Sequence, residues 1–187
     1  MNHPIHSSLD MVRLTMPVSE RDHMQGPADA PLTLVEYGDY ECPACGQAYP
    51  MVKAVQHAAG KKLRFVFRNF PLVNAHPHAE HAAEAAEAAA SRARFWEMHD
   101  ALFENQEALE DPQLAQYARE VGLDPRTLLN EVREGRFEQR IRQDFISGVK
   151  SGVNGTPTFF INGLRYDGNY DVKSILEGLM ETQSSER

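Results

Sequence analysis

The sequence predicts an α/β protein whose sheet-forming segments are separated by an all-helical insert. Three observations carry this. A strand, a C-x-x-C pair, a helix and a second strand follow one another between residues 31 and 70. Roughly eighty residues of helical periodicity come next. Strand alternation then returns in "TPTFFINGLRY", with Asn162-Gly163 at its centre.

Residues 1 to about 30 read as an irregular arm containing Pro4, Pro17, Gly26 and Pro27, in which "MVRLT" offers a short edge strand. "PLTLVEYG" alternates Leu32, Leu34 and Glu36 on one face with Thr33, Val35 and Tyr37 on the other, as a strand requires. Gly38 and Asp39 break it. "GQAYPMVKAVQHAAG" places Ala48, Met51, Val52 and Val55 at helical spacing and stops at Gly60, with Pro50 as an interior cost. "KLRFVFRNF" is a second strand, alternating Leu63, Phe65 and Phe67.

The insert starts with "HAEHAAEAAEAAASR". Here Glu80, Glu84 and Glu87 share one face, and Ala79, Ala83, Ala86 and Ala90 form a smooth face for close packing. "RFWEMHDALFENQ" puts Phe95, Trp96, His99, Leu102 and Phe103 on one stripe. Asp111-Pro112 and Asp124-Pro125 each read as an N-cap followed by proline at the first helical position. A further helix runs from about Arg136 to Ser151, with Phe137, Ile141, Phe145 and Val149 four apart. The Asn162-Gly163 dipeptide suits a type I′ hairpin, and Asp171 caps a last helix carrying Ile175 and Leu179. The expected division is an arm over 1–25, a sheet-bearing domain over 26–70 and 151–187, and a helical insert over 71–150.

Composition removes several functions. With 19 basic and 27 acidic side chains the net charge is −8, which argues against a nucleic-acid footprint and against docking on anionic lipid. No apolar run approaches the roughly 18–20 residues that span a bilayer, so no membrane insertion is expected. The first residues lack the apolar core and cleavage site of an export signal. The expectation is a cytoplasmic protein, or a periplasmic one if the start is incomplete. Monomer is the default, since no heptad pattern suggests otherwise.

Cys42 and Cys45 are the only cysteines. They close too short a loop to serve as a structural staple. A metal site would need two further ligands, which His76, His78 and His81 of "NAHPHAEH" offer about thirty residues downstream. Inert core thiols are a third reading. A redox pair fits best, because a C-x-x-C between strand and helix places its first sulfur where unpaired N–H groups and the helix dipole stabilise a thiolate. Cys45, one turn in, is then positioned to attack a mixed disulfide at Cys42. Pro43 is tolerated in the first turn.

Two further features support redox chemistry. Glu36, six residues before Cys42, shares a strand face with Leu34; a buried carboxyl there has a raised pKa and can exchange a proton with Cys45. Thr156-Pro157, after Gly155 and before a strand, suits a cis peptide bond; set against Cys42 it would leave the Thr156 backbone free to pair with an extended peptide.

"VEYGDYECPACGQAYP", "FRNFPL", "HPHAEHAAEAAEAA", "FWEMHDALFENQ" and "GVNGTPTFFINGLRYDG", in this order, resemble the DsbA-like branch of the thioredoxin superfamily. The match runs from about Gly26 to Met180 and is most similar to DsbA-like domains that also occur fused to sodium/proton antiporters. The resemblance implies a thioredoxin fold with an inserted all-helical domain. It also implies that Cys42 is the exposed nucleophile, Cys45 the resolving thiol, Pro157 the cis-proline and Glu36 the acid on the preceding strand. Phe95, Trp96 and the His76–His81 region match positions read as structural. The expected activity is thiol–disulfide exchange with protein thiols, with Pro43, Ala44, Thr156 and Pro157 meeting the substrate. No bound cofactor is expected, and an unidentified redox partner must recharge the pair.

Two features depart from the family. No export signal is seen, and the middle dipeptide is Pro43-Ala44. Lacking a histidine between the cysteines, the pair is expected to be a milder oxidant than the strongest members. Two other readings stand beside this one: a glutathione-dependent small-molecule transferase or isomerase, which typically replaces the second cysteine, and a metal-binding or chaperone module.

Overall fold

β2 (Leu32–Gly38) organises the molecule. In the computed structural model, which describes residues 11–185, all seven of its residues are buried. Its alternation feeds two cores: Leu32 and Leu34 enter the larger one, Val35 and Tyr37 the one behind it. β3 (Leu63–Asn69) runs parallel to β2 in the register Leu34 to Phe65 and Glu36 to Phe67. A parallel pair needs a crossover, and α1 (Pro43–Ala59) provides it. On the other side, β4 (Thr158–Ile161) pairs antiparallel with β2, and β5 (Leu164–Tyr166) with β4. The hairpin joining them has positive φ at both Asn162 (48°) and Gly163 (80°), the type I′ geometry expected of Asn-Gly.

The arm is less irregular than its prolines suggest. β1 (His23–Gln25) pairs antiparallel with β3, completing the sheet order β1-β3-β2-β4-β5. "MVRLT" forms no strand, only an isolated bridge from Arg13 to Leu164. Leu14, Val18 and Met24 pack against the second core, so the arm covers a sheet face that would otherwise meet water. Arg68 fixes it there. This buried guanidinium donates to both Asp22 oxygens at 2.8 and 3.0 Å, to the Tyr37 hydroxyl and to the Met16 and Pro17 carbonyls.

Between β3 and β4 come α2 (Ala79–Ala90), α3 (Phe95–Glu104), α4 (Asp111–Glu120), α5 (Pro125–Arg133) and α6 (Glu138–Lys150). The α2 alanines pack as the pattern predicts, but two glutamates of its polar face are buried as well. Glu84 accepts the Phe137 N–H at 2.9 Å, and Glu87 meets His23 and Asn69. Asp124 caps α5 through the Thr127 N–H. Asp111 does not cap α4: it is the first helical residue, the cap position belongs to Glu110, and its carboxylate pairs with His81 and Arg133. On α6 the four-residue stripe breaks at Val149, which is 53% exposed, while Phe145 stacks on Phe70. α7 (Val172–Ser185) begins with Asp171 accepting from the Ser174 N–H, and buries Ile175 and Leu179.

Candidate active site

The C-x-x-C lies where β2 hands over to α1. Cys42 is the residue capping α1, with extended φ of −71° and ψ of 120° and Pro43 behind it as the first helical residue. Its N–H donates to the Asp39 carbonyl at 3.2 Å, and its carbonyl accepts the Gly46 N–H at 3.1 Å. Cys42 makes no side-chain cap hydrogen bond, but the Ala44 and Cys45 N–H groups of the first turn favour its thiolate. Pro43 and Ala44 are exposed. Cys42 is less open than the resemblance implies: 6% of it reaches the surface, against none of Cys45. Its thiol donates to the Thr156 carbonyl at 3.4 Å, while the Cys45 Sγ accepts the Asp39 N–H at 3.5 Å. Both cysteines are free thiols.

Their surroundings push the two sulfurs apart. Cys42 is lowered to about 5, first by the hydrogen bond from the Cys45 thiol, then by Thr156 and by the backbone N–H groups of Cys45 and Ala44, against partial burial. Cys45 is pushed up by burial, by its bond to Cys42 and by the charge of Glu36. Glu36 lies on β2 between Phe67 on β3 and Phe159 on β4. Burial in that apolar setting, and then the Cys42 thiolate, lift it to about 8. Among the described residues the Glu36 Oε1 and the Thr156 hydroxyl are buried without a hydrogen-bond partner. For the Thr156 hydroxyl, a Cys42 thiolate is the acceptor it would meet.

Thr156-Pro157 is cis, and the Thr156 carbonyl already bonds Cys42. The structure thus brings Glu36, Cys42, Cys45, Thr156 and Pro157 together where the central strand β2 leads into α1 and β4 begins. It adds residues that sequence reasoning missed. The Tyr170 hydroxyl donates to the Pro157 carbonyl at 3.3 Å. Gln106, in the loop after α3, donates from Nε2 to the carbonyls of Tyr40 at 2.8 Å and Cys42 at 2.9 Å. A Cβ at Gly46 would lie 1.7 Å from the Gln106 Oε1, so any larger residue there displaces the Gln106 amide from the turn. Asp39, which reads in sequence as a strand breaker, accepts the Glu41 and Leu72 N–H groups at 2.8 Å each, together with His76. Apart from the Glu41 N–H, two residues from Asp39, these partners come from other segments, so no local pattern signals them.

The three histidines diverge. His76 bonds Asp39, the His78 backbone donates to Glu41, and His81 bonds Asp111. Among the described residues no three histidine, cysteine or acidic side chains converge as metal ligands, and no helix is long and apolar enough to cross a membrane.

This architecture has known counterparts. A family model described as thioredoxin matches residues 18–180. The Na(+)/H(+) antiporter NhaA 3 of Salinispora tropica is 42% identical over 182 residues, which is 97% of this chain but 28% of that protein. BdbD of Bacillus subtilis superposes with a TM-score of 0.84 at 25% identity, over 94% of this chain and 99% of its own. A thioredoxin-like oxidoreductase from Silicibacter pomeroyi follows at 0.79 and 26%, over 89% of this chain and 94% of its own. The chain therefore belongs to the thioredoxin family and has the fold of its DsbA-like thiol–disulfide oxidoreductases.

Proposed function

We propose that this protein exchanges disulfides with protein thiols through Cys42 and Cys45. The observation that carries the reading is the placement of the pair: Cys42 caps α1 with its thiol on the Thr156 carbonyl, Cys45 is wholly buried one turn in, and Glu36 is buried on β2, surroundings that lower Cys42 to about 5, raise Cys45 and lift Glu36 to about 8. A thiolate at Cys42 is both the better nucleophile and the better leaving group. In the oxidising direction a substrate thiolate attacks the Cys42 Sγ of the disulfide form. The Cys42–Cys45 bond breaks, and Cys45 leaves with the electron pair and takes a proton through Glu36. A second substrate thiolate then attacks the first substrate sulfur, forms the substrate disulfide and expels the Cys42 thiolate. The substrate loses two electrons and two protons; one proton stays on Cys45 and the other goes to solvent. The reducing direction runs the same steps backwards, and a second thiol–disulfide couple resets the pair.

With its thiol lowered to about 5, Cys42 is a thiolate at neutral pH, which supports it as the sulfur that meets the substrate. Pro43 and Ala44 are exposed beside the half-buried Thr156, which supports docking of an extended peptide over the cysteine turn and favours protein substrates over an enclosed small molecule. The test is turnover in thiol oxidation and insulin reduction. Cys42→Ser should abolish both, and Cys45→Ser should accumulate a mixed disulfide on Cys42. Retained turnover in Cys42→Ser would sink the mechanism.

A further inference from the structure

Pro43-Ala44 places no cation between the cysteines, yet a histidine reaches the cysteine turn from another element. His76 lies in the loop from β3 to α2, and its Nδ1 is 2.8 Å from the Asp39 Oδ2. The Asp39 side chain is wholly buried, and that of His76 is 18% exposed. Asp39 is bound to both cysteines: its carbonyl accepts the Cys42 N–H and its own N–H points at the Cys45 Sγ. The same carboxylate takes the Leu72 N–H, and the neighbouring Glu41 takes the His78 N–H at 2.6 Å. The whole 72–78 loop is therefore stitched to the turn that carries the sulfurs.

The charges facing His76 are Asp39 and Glu41 from the turn after β2 and the Cys42 thiolate at the start of α1. Together they raise its proton affinity against the opposing effect of partial burial, which is the largest single influence. Coupling of this kind is reciprocal: a thiolate that favours a protonated His76 is itself favoured by it.

We propose that His76 is a positioning residue of the redox site, held by Asp39 so that its imidazolium serves as counter-charge to the Cys42 thiolate. From the β3–α2 loop it does what a histidine between the cysteines would do. This rests on the oxidoreductase reading above.

The test compares the wild type with His76→Asn, which keeps an N–H for Asp39 but no charge, with His76→Lys, which restores a cation, and with His78→Asn as a control. Cys42 ionisation is read from the pH profile of alkylation, and the redox equilibrium from titration against glutathione. A wild type with neither an acidic thiolate nor a reversible disulfide overturns the oxidoreductase reading itself, and the role of His76 with it. Given a redox-active wild type, His76→Asn should move the alkylation midpoint up by about one pH unit, an electrostatic effect of ordinary size for a nearby charge. It should also lower the oxidising equilibrium constant about tenfold, or about 30 mV. His76→Lys should recover part of both shifts, and His78→Asn should show neither. The stability advantage of the reduced over the oxidised protein should narrow in His76→Asn, because only the reduced form holds the thiolate. An unchanged midpoint and potential in His76→Asn overturns the proposal. So does a variant that melts lower by the same amount in both redox forms with its potential unmoved, since that is what a packing residue would do. If His76→Lys fails to fold, His76→Asn decides alone.

Discussion

Glu36 sits between two phenylalanines on the sheet, and the cost of charging it there is the clearest single-residue property of the site. Its carboxyl titrates at about 8 in the folded protein against 4.5 when exposed, so between those values the folded state binds the extra proton. Stability from this group is complete below about pH 4.5 and falls as the pH rises towards 8. Glu36→Gln stays neutral and removes that loss. In the oxidised protein, where no thiolate interferes, Glu36→Gln should gain roughly 2–4 kcal/mol on wild type between pH 5 and pH 8, read by urea denaturation. In the mechanism proposed above, the same change removes the proton carrier for Cys45. Resolution of the mixed disulfide at pH 7 should slow about 10–100-fold, measured by rapid quench, while attack by Cys42 is little changed. Equal slowing of both steps would contradict the proton-transfer role.

At the scale of elements, the cysteine turn is held by segments far from it in sequence. The loop after α3 reaches it through Gln106, whose amide fills the space over Gly46. Gly46→Ala should therefore cost about 1–3 kcal/mol through overpacking. Gln106→Ala frees that space, and the double variant should be less destabilised than the two single effects added together. Thermal unfolding of the four proteins measures this coupling; strict additivity would mean that the two residues do not share the space. The arm makes a second case. Asp22 is the counter-ion of a guanidinium with almost no surface. Asp22→Asn leaves that charge buried with only the Tyr37 hydroxyl and two backbone carbonyls beside a neutral amide, and should cost about 3 kcal/mol. Loss of protection from proteolysis should start in residues 11–25 and precede global unfolding.

For the whole molecule, the redox state and the stability are one equilibrium seen from two sides. Cys42 is lowered from 9 to about 5, so the reduced protein binds fewer protons folded than unfolded between those values. Its stability therefore rises with pH across that window, fully gained near pH 9 and lost as the pH falls through about 5. The oxidised protein has no such group, and its four-residue disulfide loop contributes little to stability. The melting temperature of the reduced form should exceed that of the oxidised form at pH 7, and the gap should shrink towards pH 5. Above pH 9 the gap should close again, because the raised Cys45 then works in the opposite direction. A gap independent of pH would mean that the Cys42 thiolate is not stabilised by the fold.

The sequence by itself determined the order of the elements, the alternation of β2, the Asn162-Gly163 hairpin and the placing of the Cys42–Cys45 pair between a strand and a helix. These are local: a periodicity, a turn dipeptide or a short spacing states each one within a few residues. The strand in the arm was hidden because three residues, His23 to Gln25, carry no readable period; pairing with β3 makes them a strand. The burial of Glu84 and Glu87 was hidden because a helical wheel shows which residues share a face, not what covers it. The partners of the cysteine turn were hidden for the same reason. Asp39 and His76 are thirty-seven residues apart, and Gln106 is sixty-four from Cys42. Only the folded chain decides which distant carboxylate, amide or imidazole completes the site, because their hydrogen bonds and charges act through space and not along the backbone.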